Sequence, residues 1–327
     1  MMRKVIFRAD GNLKIGYGHF IRTLGIAGII NKDFNCIYAT QQPTEYQINE
    51  IKKACSEYIS LNANDNHFDE FLTHLKGDEI VLLDNYYFSS AYQNKIRKKG
   101  CKVIYIDDLN KKKFLCDALI NNIPGYSKKS FKRAPYTKLY LGSDYALLRK
   151  EFLDAKWRKV KRKSGKIFLS FGGSDAKNIT GKVIKFLYEI NSKFDLNVLI
   201  GDAFEQQEEL AKYKNLNVYK NINANAVANL MSSSEVCIIT ASSLLNETSC
   251  VGSKILVGYC ANNQIQPYTY FVQKKFALGA GDFRTLKLND FKKQLAATFK
   301  ADYLIENQKK QYRFQQENNI REIFNNI

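Results

Sequence analysis

The sequence predicts an α/β protein made of two doubly wound domains. Three observations carry the prediction. Short apolar runs ending in polar residues recur along the chain, with amphipathic stretches between them. Two of these runs, near residues 4 and 166, lead into a glycine-bearing loop and then into helical spacing. A heavily charged stretch at 146–164 parts the first series from the second. Alternating strand and helix, with polar groups at the strand ends, is the pattern of a parallel sheet covered on both faces. At 327 residues, 45% hydrophobic and 25% charged, the chain is long enough for two ordinary cores.

The opening run Lys4-Val5-Ile6-Phe7-Arg8-Ala9-Asp10 predicts a buried strand. A polar loop with Gly16 and Gly18 follows, and Phe20, Leu24 and Ala27 then recur at helical spacing. The glycines leave room for close backbone approach, and the new helix offers free amides to an anion. Further strands are expected at 35–40, 79–84, 102–108 and 118–122, with helices at 46–54, 68–75 and 90–99. The stretch 146–164, with Trp157 and the run 158–163, predicts a connector. A strand at 166–171 then enters Gly172-Gly173-Ser174-Asp175 and a helix from about Asn178. Strands follow at 196–201, 216–219, 236–240 and 255–260, and helices at 227–232, 271–275 and 290–299, the last capped by Asn289. The tail 308–327 has helical spacing. The expected organisation is a first domain at 1–145, a connector at 146–164, a second domain at 165–305 and a C-terminal helix at 306–327.

Seven cysteines lie singly, mostly in apolar runs, with no Cys-x-x-Cys pair. They predict small buried hydrophobes in a reducing compartment rather than a zinc site or a disulfide framework. No apolar run approaches a membrane span and no signal peptide precedes the first strand, so a cytoplasmic protein is expected. The net charge is +18. It is spread through many short runs and accompanies no nucleic-acid-binding motif, so no nucleic acid partner is expected. A solvated lysine-rich surface is the plainest account; attraction to an anionic ligand or weak association with a membrane surface are the functional ones.

The first loop carries the chemistry. Gly16-Tyr17-Gly18-His19 is neither the Gly-x-Gly-x-x-Gly dinucleotide fingerprint nor a Walker loop. His19, one of three histidines, stands at its mouth. The second dense motif is Thr240-Ala241-Ser242-Ser243-Leu244-Leu245-Asn246-Glu247-Thr248, in which small hydroxyl residues cap a helix whose amides can take a diphosphate. A plainer reading makes Ser242 a cap and Glu247 a first-turn acid that complements the helix dipole. Asn263 and Gln264 follow the strand at 255–260, and amides of this kind recognise acetamido and hydroxyl groups. Asp10, Asp84 and Asp107 fall at separate strand ends, so no metal is expected.

Arg8-Ala9-Asp10 followed by Gly16-Tyr17-Gly18-His19 resembles the N-terminal motif of the UDP-2,4-diacetamido-2,4,6-trideoxy-β-L-altropyranose hydrolases of pseudaminic acid biosynthesis. Gly142-Ser143-Asp144-Tyr145-Ala146-Leu147-Leu148-Arg149 and Gly172-Gly173-Ser174-Asp175 extend the resemblance over most of the chain. Asp84-Asn85-Tyr86 departs from the family's Asp-His-Tyr at its middle position. The resemblance implies a GT-B-like architecture, with two Rossmann-like domains facing across a cleft, similar to the peptidoglycan N-acetylglucosaminyltransferase. It implies that His19 is catalytic, with Asp10 orienting the imidazole or a sugar hydroxyl. Substrate contacts are expected from Arg8, Gly16, Tyr17, Gly18, Arg22 and Tyr86. In the second domain they are expected from Gly172, Gly173, Ser174, Ser242, Ser243 and Asn246, from Glu247 at the ribose, and from Asn263 and Gln264 at the sugar. The implied reaction is release of UDP by water attack with inversion, without a cofactor. A glycosyltransferase with an acceptor in place of water, or a non-catalytic nucleotide-sugar-binding protein, would use much of the same framework.

Overall fold

Both sheets are wholly parallel, and in each the chain reverses direction beside the central strand. In the computed structural model, residues 2–12, 15–156, 160–172, 175, 177–201, 204–312 and 316–327 are described. They form two units, Met1–Lys150 with Gln315–Ile327, and Glu151–Phe314.

The first unit's strands are β1 (Lys4–Ala9), β2 (Asn35–Gln41), β3 (Glu57–Leu61), β4 (Ile80–Asp84), β5 (Lys102–Ile106), β6 (Ala118–Asn121) and β7 (Lys138–Leu141). Their order is β3-β2-β1-β4-β5-β6-β7. The chain runs outward from β1 to β3, then crosses to β4, whose Asp84 pairs in register with Ala9. A doubly wound sheet opens its ligand crevice at the carboxyl ends beside such a reversal. Helices α1 (Gly18–Ile30), α2 (Glu45–Ala54), α3 (His67–Thr73) and α4 (Ser90–Lys98) cover the sheet. The apolar faces of α3 and α4, with Phe71, Tyr92 and Ile96, pack on Val81, Leu83, Val103 and Leu119. The sequence pattern does not supply β3 and β7. Both are edge strands with partly solvated side chains, so neither shows a continuous apolar run.

After α5 (Lys150–Ala155), the second unit's strands are β8 (Lys163–Ser170), β9 (Asp195–Ile200), β10 (Leu216–Lys220), β11 (Ser234–Thr240), β12 (Lys254–Tyr259) and β13 (Leu278–Asp282). Their order is β10-β9-β8-β11-β12-β13. Helices α6 (Ile179–Ile190), α7 (Gln207–Leu210), α8 (Ala224–Ser233), α9 (Ser243–Cys250), α10 (Ile265–Gln273), α11 (Leu288–Phe299) and α12 (Tyr303–Gln311) surround this sheet, and α13 (Gln316–Asn325) returns to the first unit.

Several expected boundaries move. The stretch 146–164 is not a free connector: Ala146 and Leu148 are buried in the first unit, while Phe152 and Ala155 pack into a core of the second. The helix expected at 271–275 begins at Ile265. Asn289 is not the cap of α11; Lys287 takes that position, because Phe291 and Leu295 must face the core and the Phe291 amide closes the first turn on Lys287 O. The single C-terminal helix expected at 306–327 is two helices serving different units. The buried Gln308 of α12 donates through Nε2 to Ser253 O at 2.9 Å and Phe276 O at 2.6 Å. α13 buries Ile320, Ile323 and Phe324, sets Phe324 beside Phe34 and pairs Arg321 with Asp33, all in the first unit.

Gly77 (φ +107) and Gly100 (φ +102) meet back to back where β4 and β5 begin. A Cβ on Gly100 would lie 2.8 Å from Gly77 O, and one on Gly77 would collide with Lys99 O. Left-handed strain and a backbone clash then add. Gly100→Ala is expected to cost more than about 2 kcal/mol. Urea unfolding measures this, and an unchanged midpoint would show that the two turns tolerate a side chain.

Candidate active site

Three strand ends meet at the crevice of the first sheet. β1 delivers Asp10, β4 delivers Asp84, and β5 delivers Asp107 and Asp108 to one carboxyl edge. The intervening loop places Gly16 at φ +79 and ends where α1 starts at Gly18. His19 and Arg22 therefore sit three residues apart in the first turns of α1, on one face.

His19 Nδ1 lies 2.8 Å from Asp84 Oδ1. Arg22 grips the same carboxylate twice, Nε to Oδ2 at 2.5 Å and Nη2 to Oδ1 at 2.6 Å, and its Nη1 donates to Asp108 Oδ2 at 3.1 Å. Asp84 is completely buried. Burial alone would push its carboxyl up; the Arg22 charge, with hydrogen bonds from Arg22 and His19, holds it below the ordinary carboxylate range. For Arg22 burial works against the charge, and Asp84 and then Asp108 outweigh it, raising the guanidinium above its usual value.

An ionised carboxylate at 2.8 Å requires a proton on Nδ1, since two acceptors at that distance repel. The 3.0 Å approach of Arg22 Nη2 to Nδ1 is then a contact between two donors, tolerated because both point at Asp84. Nε2 is left as the acceptor nitrogen, without a partner among the described residues. About a tenth of the side chain stays open, at 10% exposure. Tyr86 stands edge-on to the imidazole, 4.8 Å between ring centres at 85°, and its hydroxyl donates to Asp108 Oδ2 at 3.2 Å. Burial and then the Asp108 charge push the Tyr86 phenol up, keeping it a neutral donor.

Arg8 and Asp10 form a layer underneath. Asp10 Oδ1 accepts from Arg8 Nη1 at 2.7 Å, Thr40 Oγ1 at 2.9 Å and the Gln41 amide at 2.7 Å, and Oδ2 accepts from the Tyr87 hydroxyl. With its oxygens so committed, Asp10 does not orient the His19 imidazole; Asp84 holds that place. Arg8, fully buried, also reaches His67 Nδ1 at 2.9 Å. It holds the scaffold and cannot be the substrate contact expected of it. Asn85, which replaces the resembling family's histidine, is buried and donates to the Tyr87 hydroxyl at 3.1 Å. Asp84 and Asp108 are the residues that sequence reasoning left unassigned. Their signal was a strand ending in a carboxylate; their partners stand 65 and 86 residues away in sequence.

In the second unit β8, β11 and β12 are neighbours, so the loops after them open along one edge. Gly172, two residues past β8, has φ +103 and open space around it; Gly173 and Ser174 lie outside the described residues. Ser242 is the cap of α9, and its side chain makes no capping bond to the first-turn amides. Glu247 lies one turn in and is 5% exposed. Asn246 is committed inward, its Oδ1 accepting from the Tyr312 hydroxyl at 2.7 Å. Asn263 is exposed, whereas Gln264 Oε1 accepts the Cys260 amide at 2.8 Å and shapes its own loop. Gly16, Tyr17 and Gly18 line the first unit's loop, with Tyr17 set edge-on to Phe20 and Tyr46.

No family model matches the chain. Over 287 residues it is 28% identical to the uncharacterized protein MJ1062 of Methanocaldococcus jannaschii, covering 83% of this chain and 58% of that protein. The chain thus spans little more than half the length of that relative. Over 283 residues it is 28% identical to the UDP-2,4-diacetamido-2,4,6-trideoxy-beta-L-altropyranose hydrolase of Campylobacter jejuni, covering 84% of this chain and 97% of that one. Spore coat polysaccharide biosynthesis protein SpsG of Bacillus subtilis is 25% identical over 288 residues, 84% of this chain and 82% of that protein. Among solved structures, Acinetobacter baumannii MurG superposes with a TM-score of 0.63 at 14% identity, covering 99% of this chain and 100% of that one. The two parallel sheets and this likeness show the GT-B fold.

The lower layer makes one pH-dependent prediction. Burial lowers the His67 imidazole and the Arg8 charge lowers it further, so folding favours its neutral form. The stabilisation is full above the unfolded imidazole value of about 6.5 and is lost as pH falls toward the depressed folded value. His67→Gln keeps an acceptor for Arg8 but does not titrate. Between pH 7.5 and 5.5 the wild type should lose more stability than the variant, by denaturant midpoints. Parallel pH profiles would show that His67 is not held neutral.

Proposed function

We propose that the chain is a nucleotide-sugar hydrolase that releases UDP from UDP-2,4-diacetamido-2,4,6-trideoxy-β-L-altropyranose by water attack at the anomeric carbon with inversion. The observation that carries the reading is the His19–Asp84–Arg22 assembly, which fixes a tautomer with a bare ring nitrogen at the mouth of the first glycine loop. The hydrolase relative, matched over nearly its full length, supports the substrate class.

UDP is a good leaving group, so the enzyme's tasks are to hold diphosphate charge and to place a water on the opposite face of the sugar. His19 Nε2 accepts the water's proton as its oxygen bonds to the anomeric carbon and the bond to the diphosphate oxygen breaks. Asp84 supports the positive charge that forms on the imidazole, and Arg22 keeps Asp84 ionised. The Tyr86 ring walls the imidazole, and its exposed side contacts the sugar. The α9 amides and Gly172-Gly173-Ser174 receive the diphosphate, and Glu247 accepts from the ribose hydroxyls.

A panel of UDP-sugars, incubated with and without acceptor alcohols, tests the reaction. UDP release without an acceptor supports hydrolysis; release that requires one assigns a glycosyltransferase; no turnover of any sugar leaves a binding protein. His19→Ala should lower turnover by roughly 10²–10⁴-fold with UDP affinity unchanged. Near-normal turnover in a folded variant would make His19 a structural loop residue. Glu247→Ala should weaken UDP binding by about 1–3 kcal/mol in calorimetry. An unchanged affinity would reject the ribose contact.

A further inference from the structure

The proposed reaction makes no use of a predominantly basic face on the first unit, where Lys95 pairs with Asp69 of α3 at 3.5 Å. Residues 95–138 hold thirteen Lys and Arg against three Asp, while the rest of that unit holds twelve against fourteen Asp and Glu. None of the three acids offsets the outer surface: Asp107 is buried, Asp108 pairs with Arg22, and Asp117 pairs with Arg97 and Lys102. The segments that bear the charge lie side by side. The Leu115 amide donates to Gln93 Oε1 of α4 at 2.8 Å, the Phe114 amide to Lys132 O at 2.8 Å, and Asn110 Nδ2 to Ser130 O at 3.2 Å. Tyr92, Ile96, Phe114, Cys116 and Phe131 turn inward to the core. Lys98, Lys99, Lys111, Lys113, Lys128 and Lys129 turn outward, exposed and without a carboxylate partner among the described residues.

We propose that this face docks the protein on an anionic lipid surface. The outward charges are almost all lysines, compact and strongly hydrated on flexible stems, which suits a diffuse layer of anionic headgroups better than clamping of single phosphates. Within the segment Tyr136 is the exposed aromatic, and the Arg97 guanidinium lies 3.9 Å over its ring, which takes that face from a stacked base. The face runs up to the site's edge: Lys112, between two outward lysines, turns its Nζ inward to Tyr86 O and Phe88 O, both at 2.9 Å. Docking would set the loop that carries Tyr86 beside the lipid.

Co-sedimentation of the full chain with vesicles of mixed phosphatidylglycerol and phosphatidylcholine tests this. Binding should appear on the mixed vesicles, be absent on phosphatidylcholine alone, and vanish at about 0.5 M salt. Lys98→Glu/Lys99→Glu/Lys128→Glu/Lys129→Glu should weaken binding by at least about tenfold, and the same four changed to Gln should weaken it less. A charge-matched control on the second unit, Lys212→Glu/Lys214→Glu/Lys292→Glu/Lys293→Glu, should leave binding within about twofold. Equal losses in the two Glu variants would assign the effect to net charge and overturn the proposal. So would failure to bind mixed vesicles, or displacement from them by an equal charge of single-stranded RNA.

Discussion

A carboxylate with no exposed surface sits at the end of β4, and the upper layer of the first unit is built around it. Burying an unpaired carboxylate costs several kcal/mol. Asp84 avoids that cost through two bonds from Arg22 and one from His19, all within 2.8 Å. The pairing also works in the other direction. It fixes the ring orientation and tautomer of His19 and aligns Arg22 so that its remaining nitrogen reaches Asp108, which in turn holds Tyr86. Removing the carboxylate would free the imidazole, leave the part-buried Arg22 guanidinium with Asp108 as its carboxylate partner and loosen the aromatic wall together.

The second ion pair, Arg8 with Asp10, solves a different problem. It ties the end of β1 to Thr40 and Gln41 at the end of β2, and through Tyr87 to the loop after β4. Three loops that surround the crevice are thereby fixed at their roots. Both layers use an arginine, a carboxylate and a histidine, yet only the upper histidine sets its Nδ1 on the carboxylate, which leaves Nε2 as its acceptor nitrogen. The lower histidine, His67, spends its Nδ1 on Arg8.

Much of this was legible in the sequence. The two doubly wound sheets follow from apolar runs, loop residues and helical spacing, all short-range signals, whereas His19, Arg22 and Tyr86 were singled out as site residues by the family resemblance. What was not legible depends on long-range packing. Arg8 and Asp10 share a strand end with no mark of whether they face solvent or each other, and only the fold shows Arg8 enclosed. Asp84 stood out as a strand-end acid, but its role required knowing that α1 lies over β4. The C-terminal tail has continuous helical spacing, and only tertiary contacts divide it between Ser253 and Phe276 on one side and Phe34 on the other.

The account turns on the tautomer that Asp84 imposes on His19. With three histidines in the chain, ¹⁵N-labelled imidazoles are resolvable by long-range ¹H–¹⁵N correlation, and His19 is assigned by its loss in His19→Gln. At alkaline pH the account predicts a protonated, pyrrole-type Nδ1 and a bare, pyridine-type Nε2 in the wild type, with that preference lost in Asp84→Asn. A wild-type His19 protonated on Nε2, with Nδ1 bare, would contradict it.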